Sequence, residues 1–211
     1  MFVAVDQGNT QLKATFIRTS DMRVVEECHI PHTDLSLLHA AVSEYKPDAG
    51  CYCAVGVSDN EVVSMLETEL GDSFLILNRE TPLPIENGYK GVATLGLDRI
   101  AAACGAAMLS PGRNILIADA GTALTLDLLD SRGMFRGGNI SPGLRLRFEV
   151  LNDATAALPL VDAAGATPLL GEDTLTAIRS GVVNGMFFEM AGMYEAVRRQ
   201  EDSLMLMLTG G

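Results

Sequence analysis

The sequence is poor in positive charge and has no long apolar run. It carries 15 Lys and Arg against 27 Asp and Glu, a formal charge of −12 over 211 residues. Because nucleic acids require a basic footprint, this balance argues against a nucleic-acid partner. Asp119, Asp127 and Asp130 interrupt the most apolar segment. No run therefore reaches the roughly 18 apolar residues that a membrane-spanning helix needs, so we expect no membrane association.

Targeting signals and cysteine clusters are also missing. The start of the chain lacks the basic flank and long apolar core of a signal peptide, which predicts a cytoplasmic protein. The four cysteines show no zinc-ligand spacing and are expected to be buried thiols. The chain is nonetheless 48% hydrophobic, which is enough for one large domain or two small ones.

The first block of the chain, residues 1–109, reads as βββαβα followed by another strand and a helix. The predicted strands are Phe2–Val5, Leu12–Ile17, Val24–Ile30, Cys51–Val57 and Phe74–Leu77. The predicted helices are Asp34–Tyr45, Ser58–Leu70 and Leu97–Leu109, with Asp34 and Ser58 as N-caps. Asn78–Thr94 shows no period and is predicted to be a long loop, which in a compact domain is more often functional than idle.

The second block, residues 110–211, repeats the βββα order after a tight hinge near Ser110. Its predicted elements are strands Ile115–Asp119, Ala123–Leu129 and Met134–Ile140, helices Ser141–Asp153 and Asp173–Arg199, and strand Leu204–Leu208. Pro142 is expected at the first position of its helix. The simplest role of five late methionines is to fill the core and interfaces: Met186, Met190, Met193, Met205 and Met207.

Two turns break apolar runs in the same way. "DQGNTQLK" (Asp6–Lys13) and "DAGTALT" (Asp119–Thr125) each combine an Asp, a tight Gly and a Thr. A plain β-hairpin is one reading of either turn. Their recurrence on similar halves favours facing turns that hold nucleotide phosphates through backbone N–H groups and Thr hydroxyls, with carboxylates holding metal ions. We therefore expect Asp6 and Asp119 to face one cleft.

The paired turns and the repeated βββα order resemble the actin, Hsp70 and sugar-kinase superfamily. That resemblance implies an α/β fold of two similar ribonuclease H-like domains, each a mixed sheet with flanking helices, with ATP in the cleft between them. More narrowly, the chain resembles the type III pantothenate kinases over nearly its whole length. The segments that carry this resemblance are "DQGNTQLK", "LGLDRIAAACGA", "ADAGTALTLD" and "GGNISPGLRLR" followed by Leu158 and Pro159.

The resemblance implies a role for each matching position. The ATP-binding residues would be Asp6, Gln7, Gly8, Asn9, Thr10, Gln11, Leu12, Lys13, Gly121 and Thr122. The substrate-binding residues would be Tyr89, Gly96, Leu97, Asp98, Arg99 and Thr174. Asp6 would lie near the Mg²⁺ of ATP, and Asp119 would bind a monovalent cation, K⁺ or NH₄⁺. The "GGNISPG" segment is either an ordinary turn before a helix or, by resemblance, part of the interdomain cleft and partner contact.

Asp98 and Arg99 have two interpretations. The pair could be an N-cap with a surface salt bridge. Alternatively, Asp98 is the catalytic base that accepts the proton of a primary hydroxyl as the hydroxyl attacks the γ-phosphorus, and Arg99 pairs with an acidic substrate or the transferring phosphate. A carboxylate suffices, because the transition state of phosphoryl transfer is loose and the base mainly orients the nucleophile.

The activity implied by the resemblance is ATP-dependent phosphorylation of pantothenate to 4'-phosphopantothenate, the first step of coenzyme A biosynthesis. The family implies a homodimer whose pantothenate pocket is completed across the interface. An actin-like regulatory nucleotide-binding protein, or a kinase of another small alcohol, remains an alternative. Two departures from the family are visible: Gln7 stands where many of its members carry an aliphatic residue, and the C-terminal end is expected to be shortened after the Thr-Gly-Gly turn.

Overall fold

The computed structural model describes residues 1–8, 11–54 and 56–210, so the predicted ATP-binding residues Asn9 and Thr10 lie outside the described residues. The strands are β1 (Phe2–Gln7), β2 (Gln11–Arg18), β3 (Arg23–Pro31), β4 (Ala49–Ala54), β5 (Phe74–Ile76), β6 (Glu86–Asn87), β7 (Ile115–Ala120), β8 (Ala123–Leu129), β9 (Met134–Pro142) and β10 (Met205–Thr209). The α-helices are α1 (Ser36–Tyr45), α2 (Asn60–Leu70), α3 (Leu97–Leu109), α4 (Leu144–Asp153) and α5 (Thr174–Arg198). Within the described ranges, no helix is both long and apolar enough to cross a bilayer.

The chain divides into two compact units. The first contains residues 1–82 and 93–100, and the second contains residues 83–92 and those from 101 onward. The first turn of α3 thus belongs to the first unit and the rest of that helix to the second. The domain boundary expected between residues 109 and 110 stays a prediction.

The first unit is built on a mixed sheet with the order β3-β2-β1-β4-β5. β1 runs antiparallel to β2 and parallel to β4, and Asp6 is opposite Cys53 in the parallel pair. Alternate residues of β1, Val3 and Val5, enter the core, as the twofold period of a strand requires. Gly50 on β4 allows α2 to approach, because a Cβ there would lie 2.8 Å from Leu70 Cδ1.

The second sheet has the order β10-β7-β8-β9-β6. Its run β9-β8-β7-β10 repeats the arrangement β3-β2-β1-β4, which confirms the repeat read from the sequence. Leu116 and Leu126 of this sheet form a core with Met186 of α5, while Met190 and Met193 pack against its edge. The interpretation of these three methionines as core filler is confirmed.

Two of the expected helix N-caps are wrong. Asp59, and not Ser58, caps α2, because its carboxylate accepts the N–H groups of Glu61 (2.9 Å) and Val62 (3.3 Å). Helix α1 begins at Ser36 after Leu35 and has no side-chain cap, and Asp34 only accepts a bond from the Ser36 hydroxyl.

The expected start of α4 is also wrong, because Pro142 is not the first residue of a helix. It ends β9, where it pairs with Ala123 of β8, and Gly143 is the N-cap of α4. The Asn78–Thr94 segment, predicted to be structureless, contains the two-residue strand β6 paired parallel with β9. Such a short strand has too few residues to show a period in sequence.

Asp130, in the turn between β8 and β9, is a buried carboxylate that accepts hydrogen bonds from backbone N–H groups and from guanidinium groups. Its Oδ1 accepts the N–H groups of Arg132 and Met134, each at 3.0 Å, and its Oδ2 accepts from the guanidinium groups of Arg132 (3.0 Å) and Arg136 (3.3 Å). Burial alone would raise the pKa of Asp130. The N–H bonds and the two guanidinium groups outweigh that effect and hold the pKa below its usual range.

We expect Asp130→Asn to lower the free energy of unfolding by about 1–3 kcal/mol at pH 7. The asparagine oxygen can still accept both backbone N–H groups, but without the negative charge, and its NH₂ group replaces the oxygen that accepts from the two guanidinium groups. Solvent screening of the exposed guanidinium groups limits their share of the loss. Because the folded pKa is depressed, the stabilisation is complete above the unfolded pKa of Asp and is lost as the pH falls through the folded pKa. Urea unfolding at pH 7 and at pH 3 measures this. The exposed Asp153→Asn is the control and should change stability by less than about 0.5 kcal/mol; an equal effect of both substitutions would contradict the assignment.

Candidate functional site

Two of the predicted site carboxylates converge in the first unit. Asp6 lies near the end of β1 beside Cys53 of β4, a residue that is only 7% exposed. Burial, and then the nearby carboxylates of Asp6 and Asp98, raise the pKa of Cys53 to about 12. Both carboxylates therefore lie close to one thiol. The arrangement joins the start of the first turn to the start of α3, which are about 90 residues apart in the chain.

The position of Asp98 depends on the glycine two residues before it. Helix α3 begins at Leu97, so Asp98 is its second residue and the expected N-cap role is wrong. A Cβ added at Gly96 would collide with Asp98 Oδ1, so the carboxylate folds back over the glycine. A negative charge in the first turn of a helix is also favourable to the helix dipole. Arg99 is 5% exposed, so the surface salt-bridge interpretation is wrong as well.

The first turn is closed by its own backbone. The N–H of Gly8 donates to the carbonyl of Gln11 at 3.1 Å, and the carbonyl of Gly8 is 3.0 Å from Nε2 of His32. Leu12 is fully buried, whereas its neighbours on β2, Gln11 and Lys13, point to the other face. Any contact of Leu12 with a ligand would therefore come from its backbone.

The second turn, in the other unit, closes in a similar way. The N–H of Gly121 donates to the carbonyl of Ala123 at 3.0 Å, and Gly121 and Thr122 are exposed. A Cβ built on Gly121 would be 3.8 Å from Asp119 Oδ1, so that carboxylate lies beside the turn. In both turns, therefore, the glycine N–H donates to a backbone carbonyl farther along the chain, three residues on in the first turn and two in the second.

Two glycines that sequence reasoning missed pack against this second turn. Gly143, the N-cap of α4, donates its N–H to the carbonyl of Thr122 at 3.0 Å, and a Cβ there would lie 2.6 Å from that oxygen. Gly210 has φ +95°, and its Cβ would be 2.6 Å from both Ala120 N and Asp119 Oδ1. Only the "SPG" and "TGG" turns could have pointed to these positions, and they do not indicate which atoms approach.

The remaining predicted substrate residues of the second unit lie on different elements. The Tyr89 ring packs edge-on against Phe135, with centroids 6.1 Å apart, and covers Gly137, whose Cβ would be 3.2 Å from the ring. Thr174 is the exposed first residue of α5, next to the capping box formed by Asp173 and Thr176. A shared role of Tyr89 and Thr174 in one pocket therefore stays a prediction.

Arg147 of α4 fixes the end of the "GGNISPG" segment. Its guanidinium donates to the carbonyl of Pro142 at 2.7 Å and to the hydroxyl of Ser141 at 3.2 Å, and it pairs with Glu189 of α5. Burial would raise the pKa of Glu189, but the bonds from Ser141 and Arg147 lower it overall. Arg147 was missed because its acidic partner is 42 residues away in the chain.

The site supplies few ligands for a metal ion. Among the residues described, no group of three or more His, Cys, Asp or Glu is placed to hold one. Asp6 and Asp98 offer hard oxygen donors, but only a pair of them. Mg²⁺ commonly binds through one or two carboxylates, water and substrate phosphates, and not in an all-protein cage. The donor set therefore fits Mg²⁺ that arrives with a nucleotide.

Known proteins are similar to this chain in both sequence and fold. Residues 2–196 match the family model described as type III pantothenate kinase. Type III pantothenate kinases from Phocaeicola vulgatus and Bacteroides fragilis are 39% and 41% identical, and each alignment covers 100% of this chain and 86% of the relative. A solved Sinorhizobium meliloti protein, described provisionally as a 2-dehydro-3-deoxygalactonokinase, superposes with a TM-score of 0.53 at 13% identity, over 100% of this chain and 94% of that one. This last likeness shows the fold alone, and it confirms the predicted α/β fold with two mixed sheets and flanking helices.

Proposed function

Because this chain belongs to the type III pantothenate kinase family, we propose that it transfers the γ-phosphate of ATP to pantothenate, producing 4'-phosphopantothenate. This reaction is the first step of coenzyme A biosynthesis. The observation that carries the proposal is the similarity to this family, which covers residues 2–196 in the family model and the whole chain in relatives of 39% and 41% identity; the charges of Asp6 and Asp98, which both act on the Cys53 thiol, agree with it. A protein that only binds nucleotide needs no second carboxylate beside the one that faces the metal-phosphate group.

In the proposed reaction, Asp98 is the catalytic base. Its carboxylate accepts a hydrogen bond from the primary hydroxyl of pantothenate, orients that oxygen toward the γ-phosphorus and takes its proton as the new bond forms. The folded-back position of the carboxylate over Gly96 supports this role, because a side chain held in one orientation loses little entropy when it aligns the nucleophile. Mg²⁺ bound to ATP near Asp6 would neutralise the charge on the phosphates.

The phosphates of ATP would bind at the two turns, within the proposed domains 1–109 and 110–211. In the first turn, the residues assigned to ATP are Asp6–Lys13. The N–H groups of Gly8 and Gly121 are already bonded to Gln11 and Ala123. In this proposal the two glycines therefore shape their turns, and the exposed Thr122 supplies phosphate contacts in the second one.

Pantothenate would be bound by the remaining predicted residues. Arg99 is suited to a carboxylate because guanidinium binds carboxylates in a bidentate manner. The aromatic ring of Tyr89, the backbone of Gly96 and Leu97, and the hydroxyl of Thr174 would complete the pocket across a homodimer interface. Asp119 would hold K⁺ or NH₄⁺, and the protein would act in the cytoplasm.

The test measures ADP release from ATP and Mg²⁺ with purified protein, with and without pantothenate and with K⁺ or Na⁺ as the monovalent cation. We expect turnover to require pantothenate and to be faster in K⁺ than in Na⁺. Detection of 4'-phosphopantothenate by mass spectrometry identifies the product. ATP binding without pantothenate-dependent turnover would favour the actin-like regulatory alternative, and turnover with another small alcohol would redirect the substrate assignment. Equal rates in K⁺ and Na⁺ would remove only the cation role of Asp119.

A further inference from the structure

A buried polar network lies directly behind the first turn. Gln7, the last residue of β1, has an amide side chain that is only 9% exposed. Its Oε1 accepts bonds from the Tyr52 hydroxyl and from the N–H of Asp59 at 3.0 Å, and its Nε2 donates to the carbonyl of Val57 at 2.9 Å. One side chain thus connects the end of β1 to β4 and to the segment that starts α2.

Tyr52 completes this network from the centre of the core. Its side chain is fully buried on β4, and its hydroxyl also accepts the N–H of Asp59 at 2.9 Å. Burial raises the pKa of Tyr52, so the hydroxyl keeps its proton and can donate to Gln7. Asp59 in turn caps α2, which ties the network to a whole helix. A fully bonded buried network of this kind restricts its members to one arrangement.

The network acts on the chain at the point where the first turn begins. Gln7 lies between Asp6 and Gly8, and the exposed Asp6 side chain points to the sheet face opposite the buried Gln7. The bonds on the Gln7 side-chain amide therefore restrict the residue that joins Asp6 to Gly8. His32 Nε2 lies 3.0 Å from the carbonyl of Gly8, so side chains contact two successive residues at the start of the turn.

We propose that Tyr52 is a positioning residue, which acts through the Gln7 amide to hold Asp6 and Gly8, at the start of the first turn, in the orientation that binds Mg-ATP. The inference rests on the proposed function, because it takes Asp6–Lys13 to be a phosphate-binding turn. Tyr52 itself does not touch the nucleotide. Its hydroxyl stabilises one orientation of the Gln7 side-chain amide, and that amide in turn restricts the backbone conformation at Gln7.

Conservative variants can remove the bonds of this network one side chain at a time. Gln7→Met takes away the acceptor that the buried Tyr52 hydroxyl has on Gln7 and the donor of the Val57 carbonyl. Tyr52→Phe leaves Gln7 Oε1 and the N–H of Asp59 bonded to each other. Gln7→Met keeps the length of the side chain, and the N–H of Asp59 then still has the Tyr52 hydroxyl. Tyr45→Phe is the matched control, since it deletes another tyrosine hydroxyl of the same unit. The centroid of the Tyr45 ring lies 4.7 Å from that of Phe16.

The experiment measures the Kd of Mg-ATP by isothermal titration calorimetry for the wild type, the three single variants and the Tyr52→Phe, Gln7→Met double variant, below their unfolding temperatures. We expect each network variant to weaken binding about tenfold, the size of one lost hydrogen bond, and Tyr45→Phe to change it less than about twofold. If Tyr52 acts through Gln7, the Kd of the double variant for Mg-ATP exceeds the larger of the two single-variant Kd values by no more than about twofold. The KM for pantothenate should change less than about twofold.

Two results would overturn the positioning role. One is an unchanged Kd in Tyr52→Phe accompanied by a lower unfolding temperature, which would make the network purely structural. The other is a double variant whose fold-increase in Kd equals the product of the two single-variant increases, which would show that the two residues act independently. If the wild type binds Mg-ATP but does not phosphorylate pantothenate, the proposed function fails while the Kd series still decides this inference. If it binds no Mg-ATP, both fail.

Discussion

Asp98→Asn should reduce kcat by about 100-fold or more, while the Kd for Mg-ATP stays close to that of the wild type. The amide has nearly the same shape as the carboxylate but cannot take the proton of the attacking hydroxyl. It can still fold over Gly96, so the start of α3 should be preserved. A coupled assay for ADP gives kcat, and calorimetry gives the affinity for Mg-ATP.

The control for this prediction is Asp72→Asn, which removes an exposed carboxylate of the same unit. It should change kcat by less than about twofold, because an exposed surface charge far from the chemistry is largely screened. Full activity in Asp98→Asn would rule out Asp98 as the base. Equal losses of kcat and of Mg-ATP affinity would instead indicate a role in binding the metal-nucleotide complex.

Gly143→Ala should damage the second turn. The new Cβ would overlap the carbonyl oxygen of Gly121 and lie 2.6 Å and 2.9 Å from the carbonyl oxygen and carbon of Thr122, all of them backbone atoms. Since Gly143 has φ −71°, alanine suits the backbone conformation and the whole effect comes from the collision. We expect a loss of about 1–3 kcal/mol in the free energy of unfolding and at least a roughly tenfold weaker affinity for Mg-ATP, as the turn moves to relieve the overlap.

Gly105→Ala provides the matched comparison. This glycine lies within α3, and a Cβ added there would meet open space, with nothing within 4 Å outside the helix's own backbone. Because alanine is the better helix former, stability should stay equal or rise by up to about 1 kcal/mol. Urea unfolding and calorimetry of both variants make the comparison. A Gly143→Ala protein with wild-type affinity for Mg-ATP would show that the second turn does not bind phosphate.

Local sequence patterns predicted most of the elements correctly. The twofold period of β1 and β2 and the helical period of α3 are set by neighbours in the chain, and α3 was predicted with its observed bounds, Leu97–Leu109. Helix starts were less predictable. Ser58 and Asp59 are both good N-caps, and only the backbone geometry before α2 decides which side chain reaches the free N–H groups.

The repeat of an acidic turn with Gly and Thr was visible in the sequence, because turn chemistry is local and the residues that form it are adjacent. The convergence of Asp6 and Asp98 at Cys53 was not derivable from local pattern, since it depends on the pairing of β1 with β4 and on where α3 begins. The same holds for the bonds of Tyr52 to Gln7, 45 residues apart, and for the approach of Gly143 to Thr122. Periodicity and turn residues are properties of neighbouring positions, whereas these contacts exist only after the sheets have formed and the helices have packed on them.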